Sequence, residues 1–242
     1  GSRHLVESKA GKRILVDCGM FQGSKELRLR NWSPFPVPAS SIDAVILTHA
    51  HIDHSGYLPR LVAQGFRGPV FVTPPTQDLC SILLLDSAHL HEEDARYANR
   101  KGFSKHSPAL PLYTVDEVEK SLRLLRSIAF HESFEPVPGF RARFTRVGHI
   151  LGAASVFLEV DGESIMFSGD IGRPSDPILR APEPRTKADY VVIESTYGNR
   201  QHGQSNPEAD LERVINDAVK RHGVVVIPAF TVGRAQTLMY HL

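Results

Sequence analysis

The densest chemistry in the chain is His49-Ala50-His51-Ile52-Asp53-His54, which follows Thr48 and places four potential metal ligands within six residues. Imidazole is the commonest ligand for zinc-like metals, and a carboxylate adds an oxygen donor. Just ahead, Ala44-Val45-Ile46-Leu47-Thr48 is a short, branched, apolar run that reads as a buried strand. A strand that ends in a tight loop lets imidazoles two residues apart point at the same ion, while Asp53 and His54 turn toward a second, so a pair of ions is the natural reading. A superficially similar run, His89-Leu90-His91-Glu92-Glu93-Asp94, lies in a long helical pattern. Residues i and i+2 stand about 200° apart around a helix axis, so His89 and His91 are badly placed to share a metal. That run reads as a solvated helix face.

Two further candidates stand alone. Gly148-His149-Ile150-Leu151-Gly152 sets a histidine just after an expected strand ending at Val147, where a side chain reaches the edge of a sheet. Met166-Phe167-Ser168-Gly169-Asp170 does the same with a carboxylate in a Gly-rich turn. Each alone is an ordinary loop residue. Beside the 49 to 54 run they complete a set, because a dinuclear site needs a bridging carboxylate and a further histidine.

The elements that must position these residues alternate in type. Strands are expected over 4 to 7, 13 to 17, 44 to 48 and 70 to 72, with helical spacing over 55 to 65, 76 to 98 and 117 to 127. Strand, helix, strand, helix points to an α/β fold. Three short strands follow, over 140 to 147, 155 to 160 and 164 to 167, separated by Gly-containing turns that favour an antiparallel or mixed sheet. Residues 173 to 187 hold four Pro and read as an irregular surface crossing, after which a domain boundary is expected, giving domains of 1 to 188 and 189 to 242. Beyond it come strands over 190 to 194 and 224 to 228 and helices over 207 to 221 and from 233 onward. The last helical pattern runs through Tyr240 without a capping glycine, and the chain reads as a fragment.

Composition narrows the class. The 242 residues carry 28 Lys+Arg against 27 Asp+Glu, a formal charge of +1, and 41% are hydrophobic, which excludes a charged disordered tail and suffices for a real core. With only 2 Cys there is no disulfide framework, and a reducing, cytoplasmic compartment is expected. The longest apolar stretch, Val224 to Val232, includes Pro228 and falls far short of the roughly 18 residues that suggest a membrane span. Arg96, Arg100, Lys101 and Lys105 cluster near a helix end, and Arg141, Arg143 and Arg146 are expected to share one face of a strand. Both clusters read first as solvated faces, and the balanced net charge does not favour nucleic acid.

The motif set resembles a family. His49-x-His51-x-Asp53-His54, His149, Asp170 and the Asp17 of Leu15-Val16-Asp17-Cys18-Gly19 resemble motifs two, three, four and one of the metallo-β-lactamase superfamily. Ile193-Glu194-Ser195-Thr196-Tyr197-Gly198-Asn199-Arg200 resembles motif A of its β-CASP branch, and Ile227-Pro228-Ala229-Phe230-Thr231-Val232-Gly233-Arg234 resembles the early βα unit of that branch's inserted domain. The branch includes the cleavage and polyadenylation specificity factor endonuclease and bacterial and archaeal RNase relatives.

The resemblance implies an αββα sandwich, most of it present, followed by the start of an inserted β-CASP α/β domain. It implies two Zn2+ ions: His49, His51 and His149 on one, Asp53 and His54 on the other, and Asp170 bridging. Asp17 would orient a ligand histidine, and Glu194 would hold a general-acid histidine supplied by a later motif, so that Asp53, Glu194 and Asp17 join the catalytic set. The activity implied is that of a zinc-dependent ribonuclease, in which hydroxide on the zinc pair attacks an RNA phosphodiester. The expected partner is RNA, single-stranded, with a homodimer as a possible assembly and no membrane. The competing readings are a catalytically silent RNA-binding scaffold subunit, a DNA nuclease, and a small-molecule hydrolase of the same superfamily. Asn199 departs from the Asp of many relatives, and the later histidine motifs B and C are not in this chain.

Overall fold

A computed structural model describes residues 1–184, 186–201 and 206–242, in two compact units, Gly1–Ile193 and Glu194–Leu242. The first unit is built on two five-stranded sheets. In one, β1 (His4–Glu7), β2 (Arg13–Val16), β3 (Ala44–Ile46), β4 (Val70–Val72) and β5 (Leu125–Ser127) lie side by side in chain order, with β1 antiparallel to β2 and the rest parallel. In the other, β6 (Ser133–Phe134), β7 (Phe140–Arg146), β8 (Ala154–Val160) and β9 (Glu163–Phe167) form an antiparallel meander, and β10 (Tyr190–Val192) adds in parallel beside β9.

Period-two alternation divides these strands between faces. Ile14, Val16, Ala44 and Ile46 of the first sheet pack against Phe144, Val156, Leu158 and Phe167 of the second, all buried, and form the core between the sheets. Burying each of the larger side chains stabilises the fold by roughly 1.5–3 kcal/mol. Leu15 and Val45 point by parity to the opposite face and are buried as well, beneath the helical layer.

The helices of the first unit are α1 (Lys25–Leu29), α2 (Ile52–Ser55), α3 (Leu58–Ala63), α4 (Pro74–Lys101) and α5 (Val115–Leu122). Local chemistry sets their ends. Two prolines open α4, and Gly102, at φ +67°, closes it by donating to Ala98 O. Thr114 and Glu117 form a reciprocal capping box at the start of α5. The second unit holds α6 (Pro207–Lys220), capped by Asn206, and α7 (Arg234–His241).

Several expectations change in the folded chain. The helical pattern of 55 to 65 shortens to α3, and a separate short helix, α2, precedes it within the histidine run. The pattern of 117 to 127 ends at Leu122, and Leu125–Ser127 becomes β5, because the edge of β4 offers Leu125 a backbone partner in Val70. Over 224 to 228 no strand forms, and Val224 and Val226 are 88% and 85% exposed. A strand exists only where a neighbour receives its backbone bonds, and no described residue supplies one there. Arg141 and Arg143 share the outer face of β7, but Arg146 has the opposite parity; its guanidinium instead meets Glu183 at 2.5 Å and lies over the Phe130 ring.

Candidate metal centre

The topology gathers the candidate residues before any side chain is considered. Strands β2 and β3 are parallel, so Asp17 and the segment Thr48–His54 leave the first sheet at one edge. Strands β7 and β9 both run opposite to β8, so His149 and Asp170 leave the second sheet together. Ala154 N–H donates to Thr48 O at 2.9 Å and joins the two edges.

Close backbone packing then fixes the loops. Cys18, Met20 and Ser2 donate N–H groups to the carbonyls of His54, Ile52 and Asp53, which pins the turn carrying three candidates. A Cβ on Gly19 would lie 1.6 Å from Asp53 O, so no other residue fits there without displacing that turn. Gly172 donates to Val147 O and approaches so closely that a Cβ would lie 1.7 Å from Gly148 O, which holds the Asp170 loop against the His149 loop.

The side chains converge as a result. One donor atom from each of His49, His51, His149 and Asp170 lies within 4.8 Å of the others. His51 Nδ1 is 3.1 Å from both His49 Nε2 and His149 Nε2. A proton placed among three such nitrogens serves only one pair of them, whereas a divalent cation accepts all three, so the donor set fits a metal. Asp170 Oδ2 faces this group, 3.5 Å from His149 Nε2 and 3.8 Å from His49 Nε2. Its other oxygen faces His54 Nε2 at 3.3 Å, and Asp53 Oδ2 lies 3.8 Å from that same nitrogen.

Behind the centre, Asp17 is buried at φ +60°. An L-residue in the left-handed region costs roughly 1–2 kcal/mol, less for Asp, whose short side chain bonds locally. Three bonds offset that cost: Thr48 N–H donates to Oδ1 at 2.8 Å, the Thr48 hydroxyl to Oδ2 at 3.0 Å, and His54 Nδ1 meets Oδ2 at 2.7 Å. The histidine in contact with Asp17 is therefore His54.

Protonation follows from these surroundings. Burial, with His54, His51 and His149 nearby, holds His49 well below the ordinary histidine value. Burial and the His149 charge lower His51. Burial opposes charge on His54 too, but Asp17 and Asp170 outweigh it and push it up to about 10. Burial would raise Asp170, yet contact with His54 and the charges of the histidines bring it below the usual carboxylate range. Neutral His49 and His51 are in the form that binds metal.

Glu194 opens the second unit, where its Oε2 accepts from Thr196 N–H at 3.1 Å. His89 is exposed on α4 as expected, but His91 is half-buried with its ring 5.0 Å from that of Tyr113, so the helix face it occupies is not solvated throughout. Cys18 and Cys80 are free and buried, and burial pushes both thiols up to about 12, which leaves neither as a thiolate. The residue that sequence reasoning passed over is Thr48; its only signal was a hydroxyl between a buried strand and the first histidine.

A two-sheet sandwich with a His-x-His-x-Asp-His turn at its edge defines a class. The chain matches the β-lactamase superfamily domain over residues 12–226 and belongs to the metallo-β-lactamase superfamily of metallo-hydrolases. It is 35% identical over 243 residues to ribonuclease TTHA0252 of Thermus thermophilus, covering 100% of this chain and 52% of that protein. It is 36% identical over 251 residues to transcription termination factor FttA of Methanothermobacter thermautotrophicus, covering 99% of this chain and 37% of the factor. It is 34% identical over 242 residues to cleavage and polyadenylation specificity factor subunit 3-I of Arabidopsis thaliana, covering 99% of this chain and 33% of that subunit. The chain thus spans between a third and about half the length of these relatives.

Proposed function

We propose that this chain carries the metal-binding part of a β-CASP ribonuclease that hydrolyses RNA phosphodiester bonds at a pair of zinc ions. The observation that carries the reading is the two-sided Asp170, with one oxygen toward His49 and His149 and the other toward His54. A carboxylate so placed is suited to bridge. His49, His51 and His149 would hold one ion and Asp53 and His54 the other, with Asp17 fixing the ring of His54. Two zinc ions held there supply a neutral-pH nucleophile from bound water and neutralise charge on the phosphate oxygens. Within the chain, Asp53 lies at the open side with its side chain 47% exposed, where substrate and water have access, while His49 lies at the closed side. Glu194 would position the acid that protonates the leaving oxygen. RNA as substrate is supported by relatives named ribonuclease and cleavage and polyadenylation specificity factor subunit. Two free thiols agree with a reducing compartment such as the cytoplasm.

The test is elemental analysis of protein purified without chelator, combined with cleavage of labelled RNA and DNA of the same sequence by the full-length protein. Zinc that is lost when His49 and His51 are both Ala, together with RNA cleavage, supports the reading. Metal retained by that double variant, or cleavage of DNA alone, would sink it.

A further inference from the structure

We propose that Thr48 is a positioning residue that couples His49 to Asp17, so that one carboxylate orients histidines on both sides of the metal pair. The Thr48 hydroxyl lies 3.0 Å from Asp17 Oδ2 and 3.0 Å from His49 Nδ1. It is buried at 1% exposure beside a fully buried His49.

Counting protons fixes the direction of each bond. Asp17 is an acceptor only. Its Oδ1 receives Thr48 N–H, and its Oδ2 receives His54 Nδ1–H. If the threonine hydroxyl pointed its hydrogen at His49, two bare oxygens would face each other at 3.0 Å in a buried setting, which is unfavourable. The hydroxyl therefore donates to Asp17 and accepts from His49 Nδ1–H. That assignment leaves His49 Nε2 without a proton, and Nε2 is the atom that faces His51 Nδ1 and Asp170. Thr48 thus selects the tautomer whose free lone pair points into the cluster.

The hydroxyl is also held in place from several sides. Thr48 O accepts from Ala154 N–H, and its N–H is committed to Asp17. A Cβ on Gly169 would lie 2.9 Å from Thr48 Cβ and 3.2 Å from Oγ1, so the backbone one residue before Asp170 closes over the threonine and limits its rotamers. Valine matches threonine in shape and lacks the hydroxyl, whereas serine keeps the hydroxyl and loses a methyl group.

The inference rests on His49 being a ligand, and the experiment separates the two ideas. Long-range 15N–1H correlation spectra of the metal-free wild-type protein report the His49 tautomer directly. A proton on Nδ1 is expected, and a proton on Nε2 overturns the proposal. Zinc competition against a chromophoric chelator is then compared for wild type, Thr48→Val, Thr48→Ser and His49→Ala. We expect Thr48→Val to weaken binding of the ion held by His49 about 10- to 100-fold and Thr48→Ser to restore most of it. If His49→Ala abolishes that ion while Thr48→Val matches wild type, the coupling fails and the ligand assignment stands. If His49→Ala has no effect, the ligand assignment itself fails. Should Thr48→Val not fold, the wild-type tautomer and the Thr48→Ser affinity decide the question.

Discussion

Replacing Asp17 by Asn changes one atom and leaves the backbone undisturbed, because Asn tolerates the left-handed conformation that φ +60° imposes. The carboxylate receives donors on both oxygens: Thr48 N–H at 2.8 Å on one, the Thr48 hydroxyl at 3.0 Å and His54 Nδ1 at 2.7 Å on the other. An amide has a single acceptor oxygen, so its NH2 faces either the Thr48 N–H, which can only donate, or the Thr48 hydroxyl and His54 Nδ1, which must then give up the donations they make to Asp17. A buried donor left unsatisfied costs about 1–3 kcal/mol, and turning the bond to His54 from charge-assisted to neutral removes roughly another 1 kcal/mol. We expect Asp17→Asn to lower the stability of the metal-free protein by about 2–4 kcal/mol, a large share of the roughly 5–15 kcal/mol of an ordinary domain. Zinc affinity should fall about 10- to 100-fold, since His54 loses the partner that orients it. Urea unfolding at pH 7 measures the first and chelator competition the second, with exposed Asp94→Asn on α4 as the reference, expected within about 0.5 kcal/mol of wild type. An Asp17→Asn protein that unfolds with Asp94→Asn and holds zinc as wild type does would refute the role given to Asp17.

The metal-free protein should show opposing pH limbs: His54, raised from 6.5 to about 10, contributes stability that is complete below pH 6.5 and declines as pH rises through 10. His49 and His51 are depressed below 6.5, so their contribution is present above that pH and is lost as pH falls beneath it. Urea midpoints across pH should therefore be highest near neutrality, and an unchanged alkaline limb in His54→Gln would contradict the assignment. Gly172→Ala, whose Cβ would meet Gly148 O at 1.7 Å and His149 N at 2.7 Å, should weaken zinc binding and lower Tm more than Gly162→Ala, which has open space around a φ of +86°. Equal shifts in the two variants would show that the close packing of the loops does not matter. Asp170→Ala should cost the full-length enzyme far more RNA cleavage than Asp94→Ala; equal losses would remove Asp170 from the site.

Local pattern determined a good deal of this protein. The run from His49 to His54, the buried strand before it, the prolines and Gly102 that bound α4, and the Thr114–Glu117 box are all written in adjacent or near-adjacent residues. Periodicity and capping depend on neighbours in the chain, so a sequence exposes them. What the tertiary structure decided are the pairings across distance. His149 meets His51 from 98 residues away, and Asp17 meets His54 from 37. No spacing rule says that Asp17 belongs to His54 rather than to His49, or that Thr48 stands between Asp17 and His49. Those contacts arise because β2 and β3 run parallel and bring both C-terminal ends to one edge, where burial leaves each polar atom to find its partner among the few within reach. Where secondary structure was not legible, the reason is the same. Leu125–Ser127 looks helical by spacing and is a strand because the edge of β4 is available, whereas Val224–Pro228 looks like a strand and is unpaired among the described residues. A β-strand is a relation between two segments, and one segment's sequence specifies only half of it.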